Sequence, residues 1–314
     1  RDAIEVARAL LADPDTANLA VDVAAWADEE GTYASALGSH SFVGEITEAH
    51  LAAANAEGET VAEALERVGL VGVEPLRLEP DRHVAYLEAH IEQGPHLEAS
   101  GNRIGVVTGI VGIAGATVRF RGEQNHAGTT PMPIRKDAAA ALFEFGVHVR
   151  ARFAQVAGPA SVWTIGNLGV HPGAESIVPG EAWCQVQYRD ASADVMARFA
   201  DTLAALVAEF DTTGPCAVSM ERGDKGMAPV TMDATIVRAI GAAAERRIPD
   251  AWVEMPSGAG HDANTFAPHI PSGMLFIPSI GGVSHDFAED SHDDDIVLGC
   301  QVFADAVVSY LGSL

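Results

Sequence analysis

The middle of the chain has an order of strand-like and helical segments that few folds can accommodate. Between residues 108 and 223 the order is strand, helix, strand, strand, helix, strand. The segments are 116–122, 136–154, 160–170, 181–190, 193–210 and 216–223. This is the order of the split βαβ unit. We therefore predict a compact, ferredoxin-like βαββαβ domain over residues 108–223.

The flanking sequence, residues 1–107 and 224–314, follows a different pattern. There, helical segments alternate with strand-like segments, as is typical of α/β domains. The helical segments are 2–11, 59–70, 232–247 and 295–312, and the strand-like segments are 19–27, 83–91 and 273–280. We therefore predict one discontinuous α/β domain with a mixed, largely parallel sheet, into which the central domain is inserted.

The composition is that of an ordinary globular protein, and the charge excludes several kinds of partner. The 314 residues are 48% hydrophobic and 20% charged, which is enough apolar material for a large core. A net charge of -25 would repel nucleic-acid phosphates and anionic lipid. We therefore expect no nucleic acid and no membrane as a partner.

The cysteines bear on the compartment. Cys184, Cys216 and Cys300 are far apart and have no CxxC spacing, a pattern that favours reduced thiols over a disulfide framework. The sequence shows neither a leader-like segment nor an apolar stretch of membrane-spanning length. These features together predict a cytoplasmic protein.

Polar residues with catalytic potential follow three strand-like segments, including 19–27, which we predict to be a strand buried on both faces. They are Glu29 and Glu30 in DEEG, His90, Glu92 and Gln93 in HIEQGP, and His285 in GGVSHD. Two histidines and a carboxylate at different strand ends are typical ligands of a hydrolytic zinc site. Each residue taken alone is more often a solvated loop residue, so the pattern leaves both interpretations open.

Several motifs occur together in one order: DEEG, HIEQGP, NHAGTTPM, SIVPGE followed by YRD, SGAGHDA and PSIGGVSH. This set resembles the M20-type amidohydrolases of the hydantoinase/carbamoylase group over essentially the whole chain. That group includes N-carbamoyl-L-amino-acid hydrolases, β-ureidopropionases and allantoate amidohydrolases. The resemblance implies a homodimer with two divalent metal ions per subunit, zinc or else manganese or cobalt. It also implies a zinc-hydrolase catalytic domain (1–107 and 224–314) and an inserted lid and dimerisation domain (108–223).

The resemblance assigns roles at the metal centre. Glu29 would be the general base that takes a proton from water, and Glu30 would be a metal ligand. His90 would share the metal ion of Glu30, and His285 would bind the other ion. The family's first ligand segment, a His-x-Asp motif followed by a bridging aspartate, would lie upstream of residue 1.

Substrate-binding roles follow in the same way. His126 resembles the histidine that reaches the partner subunit's site and stabilises the oxyanion of the tetrahedral intermediate. Arg189 matches the arginine whose planar fork clamps the substrate carboxylate, with a surface salt bridge as the alternative interpretation. Gln93 and Gly260 match positions that contact the substrate. Ser176 stands where the family usually has an asparagine, and serine lacks the paired donor and acceptor of an amide.

Two further segments receive structural interpretations. His261 and Asp262, in SGAGHDA, are expected to support the metal ligands through hydrogen bonds. His292 and the three aspartates at 293–295 are predicted to form the solvated start of a helix.

The sequence thus predicts a metal-dependent amidohydrolase that cleaves a C–N bond of an N-carbamoyl amino acid or ureido acid, a small carboxylate-bearing substrate. One alternative is a non-catalytic or metal-depleted relative that acts as a binding protein. The intact Glu29, Glu30, His90, His126 and His285 argue against it. The other alternative is an aminoacylase or peptidase of the same fold, and the motifs HIEQGP and NHAGTTPM weigh against that.

Overall fold

The computed structural model describes residues 2–16, 19–223 and 226–313. The chain divides into two compact units, one of Arg1–Ile110 with Val230–Leu314 and one of Val111–Pro229. The predicted domain boundaries, at 107/108 and 223/224, lie close to these divisions.

The described residues form helices and strands in the following chain order. The α-helices are α1 (Asp2–Ala12), α2 (Leu37–Val43), α3 (Glu48–Ala52), α4 (Val61–Arg67), α5 (His96–Ser100), α6 (Ala138–Val156), α7 (Ala193–Thr213), α8 (Ala234–Arg247), α9 (Asp262–Phe266) and α10 (Asp293–Leu311). The strands are β1 (Tyr86–Ile91), β2 (Ile104–Ile110), β3 (Gly112–Arg121), β4 (Asn125–His126), β5 (Val162–His171), β6 (Ile177–Val178), β7 (Glu181–Asp190), β8 (Ala217–Arg222), β9 (Val230–Thr231), β10 (Trp252–Ser257) and β11 (Ser272–Ile277).

A mixed sheet forms the centre of the first unit. Its strand order is β1-β11-β2-β10, and β9 pairs with β2 as well. The β1–β11 and β10–β2 pairings are parallel, whereas β11–β2 and β2–β9 are antiparallel. The predicted mixed α/β sheet is therefore confirmed, and its longer pairings at the β1 and β10 sides are the parallel ones.

Both faces of this sheet are covered, since alternate residues of β11 enter different cores. Leu275 and Ile277 belong to a cluster with α1, α8 and α10, whereas Met274 and Phe276 pack in a second cluster with Leu97. A strand that is buried on both faces has a continuous apolar sequence. This explains why the run 273–280 correctly predicted a strand here.

The strand predicted for residues 19–27 is not formed, and that prediction was wrong. The segment has no regular secondary structure, and Val21 and Val23 are 37% and 44% exposed. An extended segment becomes a strand only when a neighbour accepts and donates its backbone hydrogen bonds, and within the described sheet β1 pairs with β11 alone. Trp26 packs with its ring 5.2 Å from that of Phe266, and its Nε1 donates to the Tyr86 hydroxyl at 3.2 Å.

The start of α10 differs from its prediction at one residue. His292, Asp293 and Asp294 are exposed as predicted. Asp295 is only 6% exposed, and its carboxylate accepts a hydrogen bond of 2.5 Å from Nε of Arg103. The third aspartate lies on the inward face of the helix, where a buried charge requires a partner.

In the second unit the long elements follow the order β3, α6, β5, β7, α7, β8, and the two-residue strands β4 and β6 lie between them. Its sheet runs β5-β7-β3-β8 with antiparallel pairings throughout. Alternate residues of β7, among them Cys184, Val186 and Tyr188, pack in a core with α6 and α7. The period of two places Gln187 and Arg189 on the other face of the sheet.

Two further properties concern the helices and the cysteines. Within 2–16, 19–223 and 226–313, no helix has both the length and the apolar character needed to cross a bilayer. Cys184 and Cys216 are buried free thiols.

Candidate active site

Glu29 and Glu30 lie in a tight turn that begins at Asp28. The turn contains two left-handed residues, Asp28 with φ 60° and Gly31 with φ 79°. The Glu29 carbonyl accepts hydrogen bonds from the backbone N–H of Ala36 at 3.2 Å and from Oγ of Ser35 at 2.9 Å. Glu29 is half-buried and Glu30 is exposed, so adjacent carboxylates reach different surroundings.

Those surroundings change the acidity of Glu29. Burial raises the pKa of Glu29 to about 7, and the nearby charges of Glu30 and Asp262 act in the same direction, while His285 opposes them. A carboxyl group with a pKa near neutrality can accept a proton and return it at physiological pH. Glu29 therefore has the acid–base property of a general base.

Glu30 contacts a histidine from the far end of the sequence. Its Oε2 lies 3.2 Å from Nε2 of His285. His285 has φ 56° and its backbone N–H donates to Glu289 at 3.2 Å. Strained residues of this kind are concentrated at functional sites, and the contact brings together two of the predicted metal ligands.

His90 lies near the end of β1, and its imidazole is held in one tautomer. Its Nδ1 lies 2.8 Å from the carbonyl oxygen of Ile91, and because a carbonyl can only accept, Nδ1 carries the proton. The lone pair is then on Nε2, as a metal-binding imidazole requires. The His90 ring packs on that of His261, with centroids 4.6 Å apart.

The other polar residues of HIEQGP have different surroundings. Glu92 is buried, and its two oxygens accept the backbone N–H groups of His96 and Leu97 at 2.8 Å each. It therefore stabilises the start of α5. Gln93 has φ 56°, and its backbone N–H donates to Oγ of Ser279 at 3.0 Å. Gly260 lies in the bend between β10 and α9.

Sequence reasoning missed a buried carboxyl group, Glu88. Its Oε2 accepts hydrogen bonds from the Tyr86 hydroxyl at 3.1 Å and the Ala263 N–H at 2.9 Å. Burial raises the pKa of Glu88 to about 8, and the charges of Asp262 and Glu29 add to the effect. The available signal was its spacing, because residues two apart on a strand share a face, and Glu88 precedes His90 by two.

His261 and Asp262 are buried beside this group. Nε2 of His261 lies 2.9 Å from Oγ of Ser257, and burial, with the charge of His90, lowers the pKa of His261 to about 3. Among the described residues, neither Nδ1 of His261 nor Oδ1 of Asp262 has a hydrogen-bond partner. Nδ1 of His261 lies 3.9 Å from Oε1 of Glu88, so His261 and Glu88 belong to one cluster.

His126, in the second unit, is also held in one tautomer. Its Nδ1 accepts hydrogen bonds from the backbone N–H groups of Gly128 at 3.0 Å and Thr129 at 3.2 Å. The neutral ring therefore carries its proton on Nε2, which is a donor suited to a developing oxyanion. Ser176 is exposed nearby, and its carbonyl accepts from the N–H of Ala127 at 2.9 Å across the β4–β6 pair.

Arg189 lies on β7 with one edge of its guanidinium bound. Nε and Nη2 donate to Oε1 of Gln187 at 3.2 and 3.1 Å. This fixes the plane of the fork, which is the property that bidentate carboxylate recognition needs.

The donors of the first unit fit part of a metal site. In the described part of the chain, no group of three or more histidine, cysteine or carboxylate side chains is arranged to hold an ion. Two ligand atoms on one zinc ion, each at about 2.0–2.2 Å, lie roughly 3 Å apart. The 3.2 Å between Glu30 and His285 matches that spacing. This contact differs from the pairing of Glu30 with His90 that the resemblance implies.

The first unit is a mixed α/β fold that brings a carboxylate pair, histidines and further acids together. These features define an α/β protein with a hydrolase-type site. The chain belongs to Peptidase family M20/M25/M40, whose model matches residues 3–309. The family predicted from the motifs is therefore confirmed. M20 amidohydrolases are generally metal-dependent.

Curated relatives and solved structures agree with this assignment. The chain is 34% identical over 292 residues to N-carbamoyl-L-amino acid amidohydrolase of Geobacillus stearothermophilus, covering 90% of this chain and 69% of the relative. It is 35% identical over 255 residues to allantoate amidohydrolase of Escherichia coli, covering 80% of this chain and 60% of the relative. An amidase of the hydantoinase/carbamoylase family from Burkholderia phymatum superposes with a TM-score of 0.92 at 44% identity, covering 99% of this chain and 76% of that one. These relatives are hydrolases of C–N bonds.

Proposed function

We propose that the chain carries the catalytic residues of an amidohydrolase that cleaves the C–N bond of an N-carbamoyl amino acid or another ureido acid. The observation that supports it best is that the adjacent side chains of Glu29 and Glu30 have different surroundings. Glu30 contacts His285 at 3.2 Å, whereas Glu29 lies half-buried and remains available for proton transfer. The named relatives act on ureido compounds, which supports the substrate class.

The proposed reaction consumes one water and releases the free amine, ammonia and carbon dioxide. Glu29 takes a proton from the attacking water and delivers it to the nitrogen of the C–N bond that breaks. His126, through its Nε2–H, would donate to the oxyanion that forms on the carbonyl carbon. Arg189 would hold the carboxylate of the substrate, with Gln187 fixing the orientation of its fork.

We further propose two divalent metal ions per subunit, zinc or else manganese or cobalt, held in part by Glu30, His90 and His285. When bound, such ions polarise a carbonyl and lower the pKa of water. The Nε2 lone pair of His90 and the Glu30–His285 spacing support these three as ligands. Their nitrogen and oxygen donors suit all three metals.

The second unit is proposed to serve as a lid and dimerisation domain of a homodimer. In that assembly, His126 of one subunit would act on substrate held by the partner. The exposure of His126 and of Ser176 supports a role toward a ligand, because neither side chain is needed to fill the core of its own unit.

A substrate panel tests the proposed function. The full-length protein, supplied with Zn²⁺, Mn²⁺ or Co²⁺, is expected to release ammonia from N-carbamoyl-L-amino acids, N-carbamoyl-β-alanine or allantoate. N-acetyl amino acids and dipeptides should react at least about a hundredfold more slowly, because they lack the ureido group for which the site is built. The reverse preference would assign an aminoacylase or peptidase, and no turnover with any metal would assign a non-catalytic relative.

A further inference from the structure

The carboxylate of Asp28 collects three consecutive backbone donors. Its Oδ1 accepts the N–H of Thr32 at 2.5 Å, and its Oδ2 accepts those of Tyr33 and Ala34 at 2.9 Å each. Burial acts to raise the pKa of Asp28, but these hydrogen bonds together lower it below its ordinary value. Convergent N–H groups of this kind form a nest for an anion, and here a side chain of the chain itself fills it.

The backbone of this turn needs such support. Asp28 adopts a left-handed φ of 60°, which costs free energy for a residue with a side chain. Gly31 is also left-handed, and a Cβ there would lie 3.1 Å from the backbone nitrogen of Ser35. The chain therefore doubles back within a few residues, and the Asp28 carboxylate joins the two sides together with the Glu29 carbonyl, which accepts from Ser35 and Ala36.

A second contact fixes the far end of the turn. The Tyr33 hydroxyl donates to Oε2 of Glu59 at 2.5 Å, and Arg67 binds the same carboxylate through Nε at 2.6 Å and Nη2 at 3.0 Å. Tyr33 thus anchors the turn to Glu59, which Arg67 of α4 also binds, whereas the inner part of the turn is bound by the Asp28 carboxylate.

We propose that Asp28 is a positioning residue for the reaction, because its carboxylate holds the turn that separates Glu29 from Glu30. The inference rests on the proposed function of those two glutamates. A carboxylate presents acceptors at both oxygens, while an amide presents a donor at one end. Asparagine at position 28 would therefore leave at least one N–H facing a donor, although it tolerates the left-handed backbone.

The experiment compares Asp28→Asn and Asp28→Gly with Asp233→Asn in the full chain. Asp233 is a matched control, because its Oδ1 also accepts two backbone N–H groups, those of Thr235 at 2.8 Å and Ile236 at 3.1 Å, at the start of α8. Both Asp28 variants should lower kcat by roughly 10- to 100-fold, the typical effect of misplacing a catalytic group by about 1 Å, with KM within about twofold. Because glycine permits the left-handed backbone, a low kcat in Asp28→Gly would be due to the missing carboxylate and not to backbone strain.

Amide hydrogen exchange provides a readout independent of turnover. The N–H groups of Thr32, Tyr33 and Ala34 should exchange at least about tenfold faster in Asp28→Asn than in the wild type, and those amides should be unchanged in Asp233→Asn. Wild-type kcat with slow exchange in Asp28→Asn, or an equal loss of kcat in Asp233→Asn, would overturn the proposal. Absence of amidohydrolase activity in the wild type would refute the proposed function. Equal amide exchange in the wild type and in Asp28→Asn would separately refute the role of Asp28 in the turn.

Discussion

Oε2 of Glu30 lies 3.2 Å from Nε2 of His285, although the two residues belong to the two sequence segments of the first unit, Arg1–Ile110 and Val230–Leu314. Both side chains are largely exposed, at 62% for Glu30 and 70% for His285. Ion pairs between exposed groups contribute little to stability. The contact therefore adds little to the stability of the fold, and its spacing is compatible with the proposed role of both residues as metal ligands.

Removal of either partner should weaken metal binding without unfolding the protein. Glu30→Gln and His285→Asn are each expected to lower the affinity for Mn²⁺ by at least about tenfold, measured by titration calorimetry, because changes even to supporting residues of metal sites cost that much. His292→Asn is the control, since His292 is exposed at the start of α10. Equal Mn²⁺ affinity in all three variants and the wild type would remove Glu30 and His285 from the metal site.

Glu29→Gln should keep the bound metal and lose turnover. The amide preserves the shape of the side chain but cannot accept the proton of water, so kcat should fall by roughly a hundredfold to ten-thousandfold. In the wild type, kcat should rise with pH through the range in which Glu29 becomes ionised. A variant with near-normal kcat, or the same pH dependence as the wild type, would contradict the assignment of Glu29 as the base.

The same group should make the metal-free fold less stable as pH rises. The folded pKa of Glu29, about 7, is above its ordinary value of 4.5, so between these values the folded state binds the proton more tightly than the unfolded state. Its contribution is fully present below about pH 4.5 and is lost as pH rises through 7. Urea unfolding of metal-free wild type and Glu29→Gln across this range should show the extra decline only in the wild type.

The longer helices and strands of the second unit lie close to their predicted positions because the sequence pattern that marks them is local. The period of β7 and the lengths of α6 and α7 are visible without knowledge of any partner strand. The strand predicted over residues 19–27 was wrong because an apolar run indicates burial but does not show which neighbouring strand would form its backbone hydrogen bonds. The prediction that Asp295 is solvated was wrong because its partner, Arg103, is distant in sequence. Glu88 was missed because no motif marks its contact with Tyr86.

His126 is expected to act across the proposed homodimer. His126→Ala should lose roughly a hundredfold to a thousandfold in kcat, the typical cost of one oxyanion donor. When inactive His126→Ala and inactive Glu29→Gln subunits are mixed, part of the activity should return, because one site of the hybrid has both groups. If the subunits exchange, as shown by a tag on one variant, and no activity returns, His126 does not act in the partner's site.

Arg189 should decide whether the substrate must carry a carboxylate. Its Nε and Nη2 are both bound to Gln187, so the plane of the guanidinium is set before a ligand arrives. N-carbamoyl amino acids should therefore react, while their neutral amide analogues should lose roughly two decades in kcat/KM, because a guanidinium desolvated without its anion is costly. Arg189→Lys should lose a similar factor on the charged substrates alone, since a point charge lacks the fork, whereas Arg119→Lys, on the same sheet, should change nothing. Ser176→Asn should shift the preference among N-carbamoyl-α-amino acids, N-carbamoyl-β-alanine and allantoate without abolishing turnover, because an amide adds a paired donor and acceptor that serine lacks. Equal kcat/KM for charged and neutral members of the panel would exclude Arg189 from substrate binding and leave the carboxylate-bearing class without support.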